Sequence, residues 1–223
     1  MRRVLVVDDE PQILRALRVV LREADFEAVP AATGEEALDR AATRPPDAAI
    51  VDLVLPDGDG VEVTRRLREW TDMPIIVLSA VGEEAEKVRA LEAGADDYVT
   101  KPFGPRELVA RLQAALRRAE GPADEPAIRS DGLEVDLAAR VVRVDGAEVH
   151  LTPIEFDLLR TLARNRGRLL THRALLVEVW GPEYGNDTAV LRTHIANLRR
   201  KIGVAGGNYI RTDPGVGYRF TEA

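Results

Sequence analysis

The sequence contains no cysteine, and this absence excludes several classes of protein. Without thiols the chain of 223 residues has neither a disulfide framework nor a thiolate metal site. It also lacks any apolar run of about 18 residues, so we expect no membrane span. The basic start Met1–Arg3 is followed by a short apolar run and then by acids, with no small-residue cleavage site, so we expect no signal peptide. These features together favour a cytoplasmic protein.

The residues that are present suit two folded domains of different charge. Hydrophobic residues make up 45% of the chain and charged residues 31%, which is typical of globular proteins. The length fits two domains of about 100 to 150 residues better than one. Residues 1–120 hold 17 basic and 24 acidic side chains, whereas residues 121–223 hold 14 of each. The acidity therefore belongs to the first half.

The first half alternates short apolar runs with amphipathic segments. The expected strands are residues 3–8, 26–30, 48–53, 74–79 and 97–101. The expected helices begin near Pro11 and at a capping box of Thr33 and Glu36, and then cover residues 59–70, 83–93 and 105–119. Five such alternations predict an α/β domain over residues 1–118, with a parallel, doubly wound, flavodoxin-like sheet.

The pattern changes after residues 119–127, which contain glycine, two prolines and acids without periodicity and read as a linker. Alternating segments at 133–136, 140–144 and 148–151 predict strands, with a hairpin turn at Asp145-Gly146. A capping box of Thr152 and Glu155 then opens helices at 153–165, 172–179 and 187–202. A last hairpin near Pro214 completes an α+β domain over residues 128–223.

Carboxylates, a hydroxyl and an ammonium follow the predicted strands of the first half. Asp8 and Asp9 end the first strand, Asp52 the third, Ser79 the fourth and Lys101 the fifth. Because the carboxyl ends of parallel strands meet at one edge of a sheet, we expect these groups to converge. Clustered carboxylates need a cation, and hard oxygen ligands suit Mg²⁺. Asp52 beside Mg²⁺ and lysine could then act as a nucleophile toward phosphorus.

A single acid in such a position is more often a helix cap or a turn residue. We expect that role for Asp57 and Asp59, which lie beside Gly58 and Gly60. The convergence of the whole set at matching strand ends favours a site over this simpler interpretation.

The motifs VVDDE, VDLVLPDGDG, IIVLSA and ADDYVTKPF occur in the order found in receiver domains of two-component response regulators, which residues 1–118 resemble. The resemblance implies phosphorylation of Asp52 and a cis Lys101–Pro102 peptide. It also implies a role for each residue of the site. Mg²⁺ would be held by Asp9, Asp52 and the Val54 carbonyl, with Asp8 acting through water, while Ser79 and Lys101 would bind the phosphoryl group and Tyr98 would act as a switch.

Two further positions bear on the lifetime of the phosphorylated state. In receivers, the residues two past the acceptor and two past the serine flank the path of the hydrolytic water, and here these are Val54 and Val81. Neither side chain can orient water, so we expect slow decay of the acyl phosphate.

The resemblance also implies a two-fold homodimer after phosphorylation, formed by the fourth helix, fifth strand and fifth helix. In the OmpR/PhoB subfamily, charges on this face pair between protomers. The corresponding residues here are Lys87, Asp96, Asp97, Glu107, Arg111 and Arg118. Pairing of these charges within one chain is the alternative.

The second half concentrates basic residues, because residues 158–177 and 188–212 each hold five of them and no acid. Such clusters suit a polyanion, although a solvated helix face is the alternative. The motifs LTPIEFDLL, RLLTHRALLVEVW and GVGYRF resemble the winged helix-turn-helix DNA-binding domain of the same subfamily. The resemblance implies that the 187–202 helix enters the major groove of promoter DNA. The candidate DNA contacts are Arg192, His194, Asn197, Arg199, Arg200, Arg211 and Thr212.

Several of these assignments carry alternatives. His194 could instead pack locally, and Pro214 stands where several relatives carry a minor-groove arginine at the wing tip. The 181–187 loop corresponds to the place where relatives touch RNA polymerase, but a simple connector would fit it as well.

We therefore expect a DNA-binding transcriptional response regulator that receives phosphate from a sensor histidine kinase. The segments LTPIEF, VWGPEYG and PIIVLSA look most similar to KdpE-type regulators of potassium uptake. A Mg²⁺-dependent aspartyl phosphatase is one alternative, but that class places a second aspartate where this chain has Val54. A regulator that does not need phosphate is another, and the intact set of Asp9, Asp52, Ser79 and Lys101 disfavours it.

Overall fold

The computed structural model describes residues 1–80, 84–120, 127–184, 187–203 and 209–221. The chain divides into two compact units, Met1–Ala119 and Glu120–Ala223. Among the helices in these described ranges, none is long and apolar enough to cross a membrane.

The first unit alternates strands and helices, as the sequence predicts. Its elements are β1 (Arg2–Val7), α1 (Pro11–Glu23), β2 (Phe26–Ala31), α2 (Gly34–Thr43), β3 (Ala48–Asp52), β4 (Val54–Leu55), β5 (Gly58–Asp59), α3 (Gly60–Arg68), β6 (Ile75–Ala80), α4 (Glu84–Glu92), β7 (Asp97–Lys101) and α5 (Pro105–Glu120). Five strands form one sheet in the order β2-β1-β3-β6-β7, and every neighbouring pair is parallel. The predicted receiver-type sheet is confirmed. Its strand order reverses between β1 and β3, where a parallel sheet binds ligands.

The central strands of this sheet are buried on both faces. Ile50, Val51, Ile76 and Val77 are each 0% exposed, because helices cover a parallel sheet from both sides. Ile50 and Ile76 pack in one cluster with Leu17 of α1. Burial of each such side chain stabilises the fold by roughly 1.5–3 kcal/mol, so the strand ends are held on a rigid support.

A small antiparallel ribbon follows β3, in a segment where helix caps or turn residues were expected at Asp57 and Asp59. Val54 pairs with Asp59 across β4 and β5. The Asp59 carboxylate accepts a hydrogen bond from the backbone of Val61 at 2.8 Å and caps α3. The Asp57 carboxylate accepts bonds from the backbone of Gly34 at 2.9 Å and from the next amide at 3.0 Å. Asp57 thereby ties the segment that follows Asp52 to the start of α2.

The described residues of the second unit form two antiparallel sheets and three α-helices. Its elements are β8 (Ile128–Ser130), β9 (Leu133–Asp136), β10 (Val141–Val144), β11 (Ala147–Val149), α6 (Pro153–Arg164), β12 (Leu169–Thr171), α7 (His172–Val179), a short 3-10 helix (Pro182–Tyr184), α8 (Thr188–Ile202), β13 (Ile210–Asp213) and β14 (Gly217–Phe220). The sheets have the orders β11-β10-β9-β8 and β12-β14-β13. Strands β8 and β12 were not predicted, because three residues are too few to display a period. Strand β11 is equally short, but the Asp145-Gly146 turn signal before it indicated a hairpin.

The predicted capping box of α6 is present. The Thr152 amide donates to Glu155 Oε2 at 2.8 Å, and the Glu155 amide donates to Thr152 Oγ1 at 3.4 Å. Lys201 Nζ near the end of α8 lies 2.6 Å from the same Glu155 Oε2. This ion pair joins the end of α8 to the start of α6. Glu155 is only 2% exposed, so its carboxylate is largely shielded from water. The hairpin of β13 and β14 is called the wing below.

Candidate functional site

Three carboxylates meet where β1 and β3 end. One ligand oxygen from each of Asp8, Asp9 and Asp52 can be chosen so that all lie within 4.8 Å of one another. Asp8 and Asp52 are buried and Asp9 is exposed. Strand β1 lies beside β3 in the sheet, so the parallel topology itself brings these residues together. The three acids form a pocket with the chemistry of a site for a hard divalent cation.

Lys101 at the end of β7 reaches into this acidic pocket. Its Nζ lies 2.9 Å from Asp8 Oδ2 and 3.0 Å from Asp52 Oδ2. The other oxygen of each carboxylate accepts a backbone bond, Asp8 Oδ1 from Glu10 at 2.9 Å and Asp52 Oδ1 from Leu53 at 3.0 Å. Both acids are thus fixed in orientation. The Lys101–Pro102 peptide is cis, as the resemblance implies.

The protonation of Asp52 is set by opposing influences. Burial raises the pKa of Asp52 above its ordinary value, and the charge of Asp8 adds to the rise, while the hydrogen bond and charge of Lys101 oppose it. Burial lowers the pKa of Lys101, but its bonds to Asp8 and Asp52 outweigh that effect and leave the pKa raised. Lys101 therefore stays protonated and positively charged. A divalent cation at the three acids would add positive charge and favour the carboxylate form of Asp52.

Ser79 supplies a buried hydroxyl at the same edge. It lies in β6 beside β3 and is 1% exposed. Within the described ranges its Oγ has no hydrogen-bond partner. A buried polar group left unpaired costs roughly 1–3 kcal/mol. An oxygen-rich ligand bound beside Asp52 would relieve that cost, so Ser79 fits the role of a phosphoryl ligand.

The backbone that follows Asp52 has room only for glycine at position 60. The Gly60 amide donates to the Leu53 carbonyl at 2.9 Å. A Cβ at Gly60 would lie 1.9 Å from the Asp52 carbonyl oxygen. Glycine here lets α3 begin against the end of β3. Val54, whose carbonyl is the implied metal ligand, lies just before this contact in β4 and is 69% exposed.

The predicted switch residue Tyr98 lies one strand farther from Asp52, on β7. It is half-buried, and Lys87 Nζ on α4 lies 4.8 Å from the centre of its ring. This contact is a cation–π interaction. Tyr98 pairs with Val77 of β6, two residues before Ser79. Val81, the second position expected to affect phosphate lifetime, lies outside the described residues.

The expected dimer charges are partly paired within the chain. Arg111 on α5 lies 3.3 Å from Asp97 and 2.8 Å from Glu107. Asp96 is 1% exposed, and its Oδ2 pairs with Arg68 and accepts the Ile75 amide at 2.8 Å. Asp96 therefore faces the interior, and Asp97, which is also 1% exposed, is buried as well, so neither of these predicted dimer contacts lies on an exposed face. The side chain of Arg118 lies outside the described residues.

Helix α8 presents two of the predicted DNA contacts to solvent. Arg192 and Arg200 are exposed, and their side chains bond Thr188 Oγ1 at 2.8 Å and Asn197 Oδ1 at 3.0 Å within the same helix. Arg211 and Thr212 of the wing are also exposed. These groups give the second unit a basic surface on one helix and one hairpin.

Two other predicted contacts on α8, His194 and Asn197, lie inside the unit. His194 is 1% exposed and packs against Trp180 with ring centres 5.7 Å apart. Asn197 is 3% exposed. Both are named above as candidate DNA contacts, a role that requires exposed side chains, and the structure buries them instead. The local packing offered there as an alternative for His194 is the observed arrangement.

Arg199 also turns inward. Its Nε and Nη2 donate to the Ile210 carbonyl at 3.0 and 2.6 Å, and Nη2 also donates to Thr212 Oγ1 at 2.8 Å. The sequence could not reveal this, because the acceptors are a main-chain oxygen and a hydroxyl on a separate strand.

Two family models match the chain. The one described as the response regulator receiver domain matches residues 4–113, and the one described as transcriptional regulatory protein, C terminal, matches residues 146–220. The transcriptional regulatory protein KdpE of Mycobacterium tuberculosis (strain ATCC 25618 / H37Rv) is 52% identical over 224 residues, which cover 99% of each chain. The KDP operon transcriptional regulatory protein KdpE of Escherichia coli (strain K12) is 48% identical over 223 residues, again covering 99% of each.

A solved structure agrees with these matches. The response regulator DrrB, a Thermotoga maritima OmpR/PhoB homolog, is 32% identical with a TM-score of 0.54 and covers 99% of both chains. The chain therefore belongs to the two-component response regulators of the OmpR/PhoB type, in which a receiver domain precedes a DNA-binding transcriptional regulatory domain. Within that family it is KdpE-like. A sensor kinase and promoter DNA are its expected partners.

Proposed function

We propose that a sensor histidine kinase phosphorylates Asp52 in a Mg²⁺-dependent reaction, and that the phosphorylated protein binds promoter DNA as a homodimer. The observation that carries the proposal is the geometry around Asp52. This buried carboxylate has an ammonium 3.0 Å away, two further acids beside it and, on the next strand, a hydroxyl that has no partner among the described residues.

The reaction would be a phosphoryl transfer to an oxygen of Asp52. The bond from phosphorus to the donor nitrogen breaks, and a bond to the carboxylate oxygen forms. Asp9, Asp52 and the Val54 carbonyl would hold Mg²⁺, with Asp8 acting through water. The ion would neutralise charge on the transferring group. Lys101 would neutralise a further phosphoryl oxygen, and the Ser79 hydroxyl would donate a hydrogen bond to another.

Transfer of the signal would begin at Ser79. Phosphorylation adds nearly two negative charges, which would attract the Ser79 hydroxyl and open space for the Tyr98 ring. Its rotation would release the contact with Lys87 and repack the face of α4, β7 and α5. We propose that this face then forms the dimer, with Lys87, Glu107, Arg111 and Arg118 as candidate contacts, while the buried Asp97 pairs with Arg111 within the chain.

DNA would be bound by α8 and the wing. Arg192 and Arg200 are the candidates for contacts in the major groove, and Arg211 and Thr212 for contacts from the wing. The similarity to the two KdpE regulators supports the KDP operon, and hence potassium uptake, as the kind of target. The segment that includes the 3-10 helix Pro182–Tyr184 is the candidate contact for RNA polymerase.

A DNA-binding experiment separates this proposal from a regulator that does not need phosphate. Wild-type protein and Asp52→Ala are titrated onto promoter DNA of a potassium-uptake operon, with and without a small phosphodonor and Mg²⁺. We expect the donor to increase the affinity of the wild type only. Equal affinity of both proteins under both conditions would contradict the proposal.

A further inference from the structure

We propose that Arg199 is a positioning residue that fixes the wing relative to α8, and that it is not itself a DNA contact. The inference deepens the proposed use of α8 and the wing in DNA binding and rests on it. It reassigns a residue that the sequence places among the DNA contacts.

The hydrogen bonds of Arg199 use three of the five N–H donors of its guanidinium group. The Nε and Nη2 atoms lie 3.0 and 2.6 Å from the Ile210 carbonyl oxygen. The second Nη2 hydrogen is directed to Thr212 Oγ1 at 2.8 Å. Arginine binds a phosphate or a guanine through two such parallel donors. In Arg199 the Nε/Nη2 edge is fully used within the protein, and the bond to Thr212 takes one donor of the Nη1/Nη2 edge, so neither edge is free to bind in this way.

Arg199 contacts both strands of the wing. Its bonds go to Ile210 and Thr212 on β13, and its guanidinium carbon lies 5.6 Å from the ring centre of Tyr218 on β14. Tyr218 is the cross-strand partner of Thr212. The side chain therefore holds the hairpin at the point where its two strands pair, directly against α8.

The two exposed arginines of α8 have a different environment. Arg192 and Arg200 bond only within α8 according to the contacts described above, and both side chains face solvent. They can turn toward a phosphate at the loss of one weak intrahelical bond. Arg192 and Arg200 of α8 are thus exposed and can bind DNA, whereas Arg199 faces the wing and sets its position relative to the helix.

A fixed wing would matter because helix and wing must engage one duplex together. If Arg211 and Thr212 are already held in place relative to Arg192 and Arg200, binding does not lose free energy in ordering them. A loose wing would weaken binding although every DNA-contacting side chain remained.

The conservative variant Arg199→Lys distinguishes the two roles. Lysine keeps the charge and is itself a good phosphate ligand, so a phosphate contact would largely survive the change. Lysine lacks the planar fork, however, and cannot reproduce the paired bonds to Ile210 and Thr212. A positioning role is therefore lost in Arg199→Lys.

The experiment measures affinity of the full chain for a short duplex of arbitrary sequence over a series of salt concentrations. Each phosphate contact contributes about 0.9 to the slope of log affinity against log salt. We expect Arg199→Lys to bind several-fold more weakly with an unchanged slope. The matched controls Arg192→Ala and Arg200→Ala should each lower the slope by about 0.9 if they remove one contact.

Amide hydrogen exchange of the free protein provides the second readout. Arg199→Lys should accelerate exchange in Ile210–Asp213 and leave the β9 and β10 strands unchanged, whereas a general loss of stability would accelerate all of them. Wild-type affinity together with wild-type exchange in Arg199→Lys would overturn the inference. If instead both control variants keep the wild-type slope, the proposed DNA surface is wrong, and the exchange of the wing still tests the role of Arg199.

Discussion

The charged side chains of the acidic pocket in the first unit are mostly buried, whereas those of the basic surface in the second unit are exposed. In the pocket, Asp8 and Asp52 are buried, and Lys101 lies within 3.0 Å of both. On α8, Arg192 and Arg200 face solvent, and within the described part of the chain their side chains bond neighbours in their own helix. The acids of the first site are already held by ion pairs and backbone hydrogen bonds without a ligand, while the exposed arginines of the second can adjust to a ligand.

This difference follows from what each site would bind. A small cation and a phosphoryl group need a few oxygen and nitrogen atoms fixed at short distances, and buried strand ends supply them. A duplex offers many phosphates over a wide surface, so exposed and adjustable charges are suitable. The precision that DNA binding does require would reside in the relative placement of helix and wing, which Arg199 controls.

The largest effect should come from Asp52→Ala, which changes the acidic pocket and leaves the basic surface intact. The pocket loses its phosphoacceptor, and we expect the donor-dependent gain in DNA affinity to disappear completely. The basal affinity and its salt slope should stay at the wild-type values, because α8 is untouched. Filter binding with and without the phosphodonor measures both quantities. A donor-dependent gain that survives in Asp52→Ala would mean that another group receives the phosphate.

Removal of divalent cations should also stop phosphorylation almost entirely. Without a cation, Asp8, Asp9 and Asp52 repel an incoming phosphoryl group, and Lys101 alone offsets too little of their charge. Phosphate incorporation from a small donor is measured with a chelator and after addition of excess Mg²⁺. Incorporation at the full rate in the chelator would show that the three acids do not form a required metal site.

Gly60→Ala should destabilise the first unit by several kcal/mol, roughly 2–4, because its Cβ would lie 1.9 Å from the Asp52 carbonyl and the backbone must shift to avoid it. Gly104→Ala is the matched control, since its Cβ would meet no atom within 4 Å, and we expect a change of about 1 kcal/mol or less. Denaturant unfolding monitored on the first unit measures both. Equal stabilities of the two variants would refute the close packing at Gly60.

The smallest effect concerns the lifetime of the phosphorylated state. Val54 is apolar and exposed next to Asp52, and it cannot orient an attacking water. We expect Val54→Asn to hydrolyse the acyl phosphate several-fold faster, because its amide can position that water. Loss of radiolabelled phosphate after removal of the donor measures the rate. Identical decay in the two proteins would show that this position does not control hydrolysis.

The sequence predicted the pocket better than the DNA surface, and geometry explains why. Once Asp8, Asp52 and Lys101 are assigned to the ends of parallel strands, the topology brings them together at one edge of the sheet. On a helix, one residue corresponds to a rotation of about 100°. Arg199 and Arg200 are neighbours in sequence, yet one faces the wing and the other faces solvent.

Other features depended on partners that are distant in sequence. Strand β12 has three residues and exists because it pairs with β14. Asp57 caps α2 from the ribbon after β3, 23 residues from its partner Gly34. The sequence predicts Asp96 on the dimer face, but its carboxylate pairs with Arg68 in the interior. Sequence patterns predict the helices and strands, but they do not predict these contacts between distant parts of the chain.

Mass spectrometry of the full chain tests the central claim most directly. Wild type and Asp52→Asn are incubated with a small phosphodonor and Mg²⁺, and the modified peptide is identified after digestion. We predict one added phosphoryl group on the wild-type peptide that contains Asp52, and none on the variant. An unmodified Asp52, or a phosphoryl group of equal yield elsewhere in both proteins, would contradict the account.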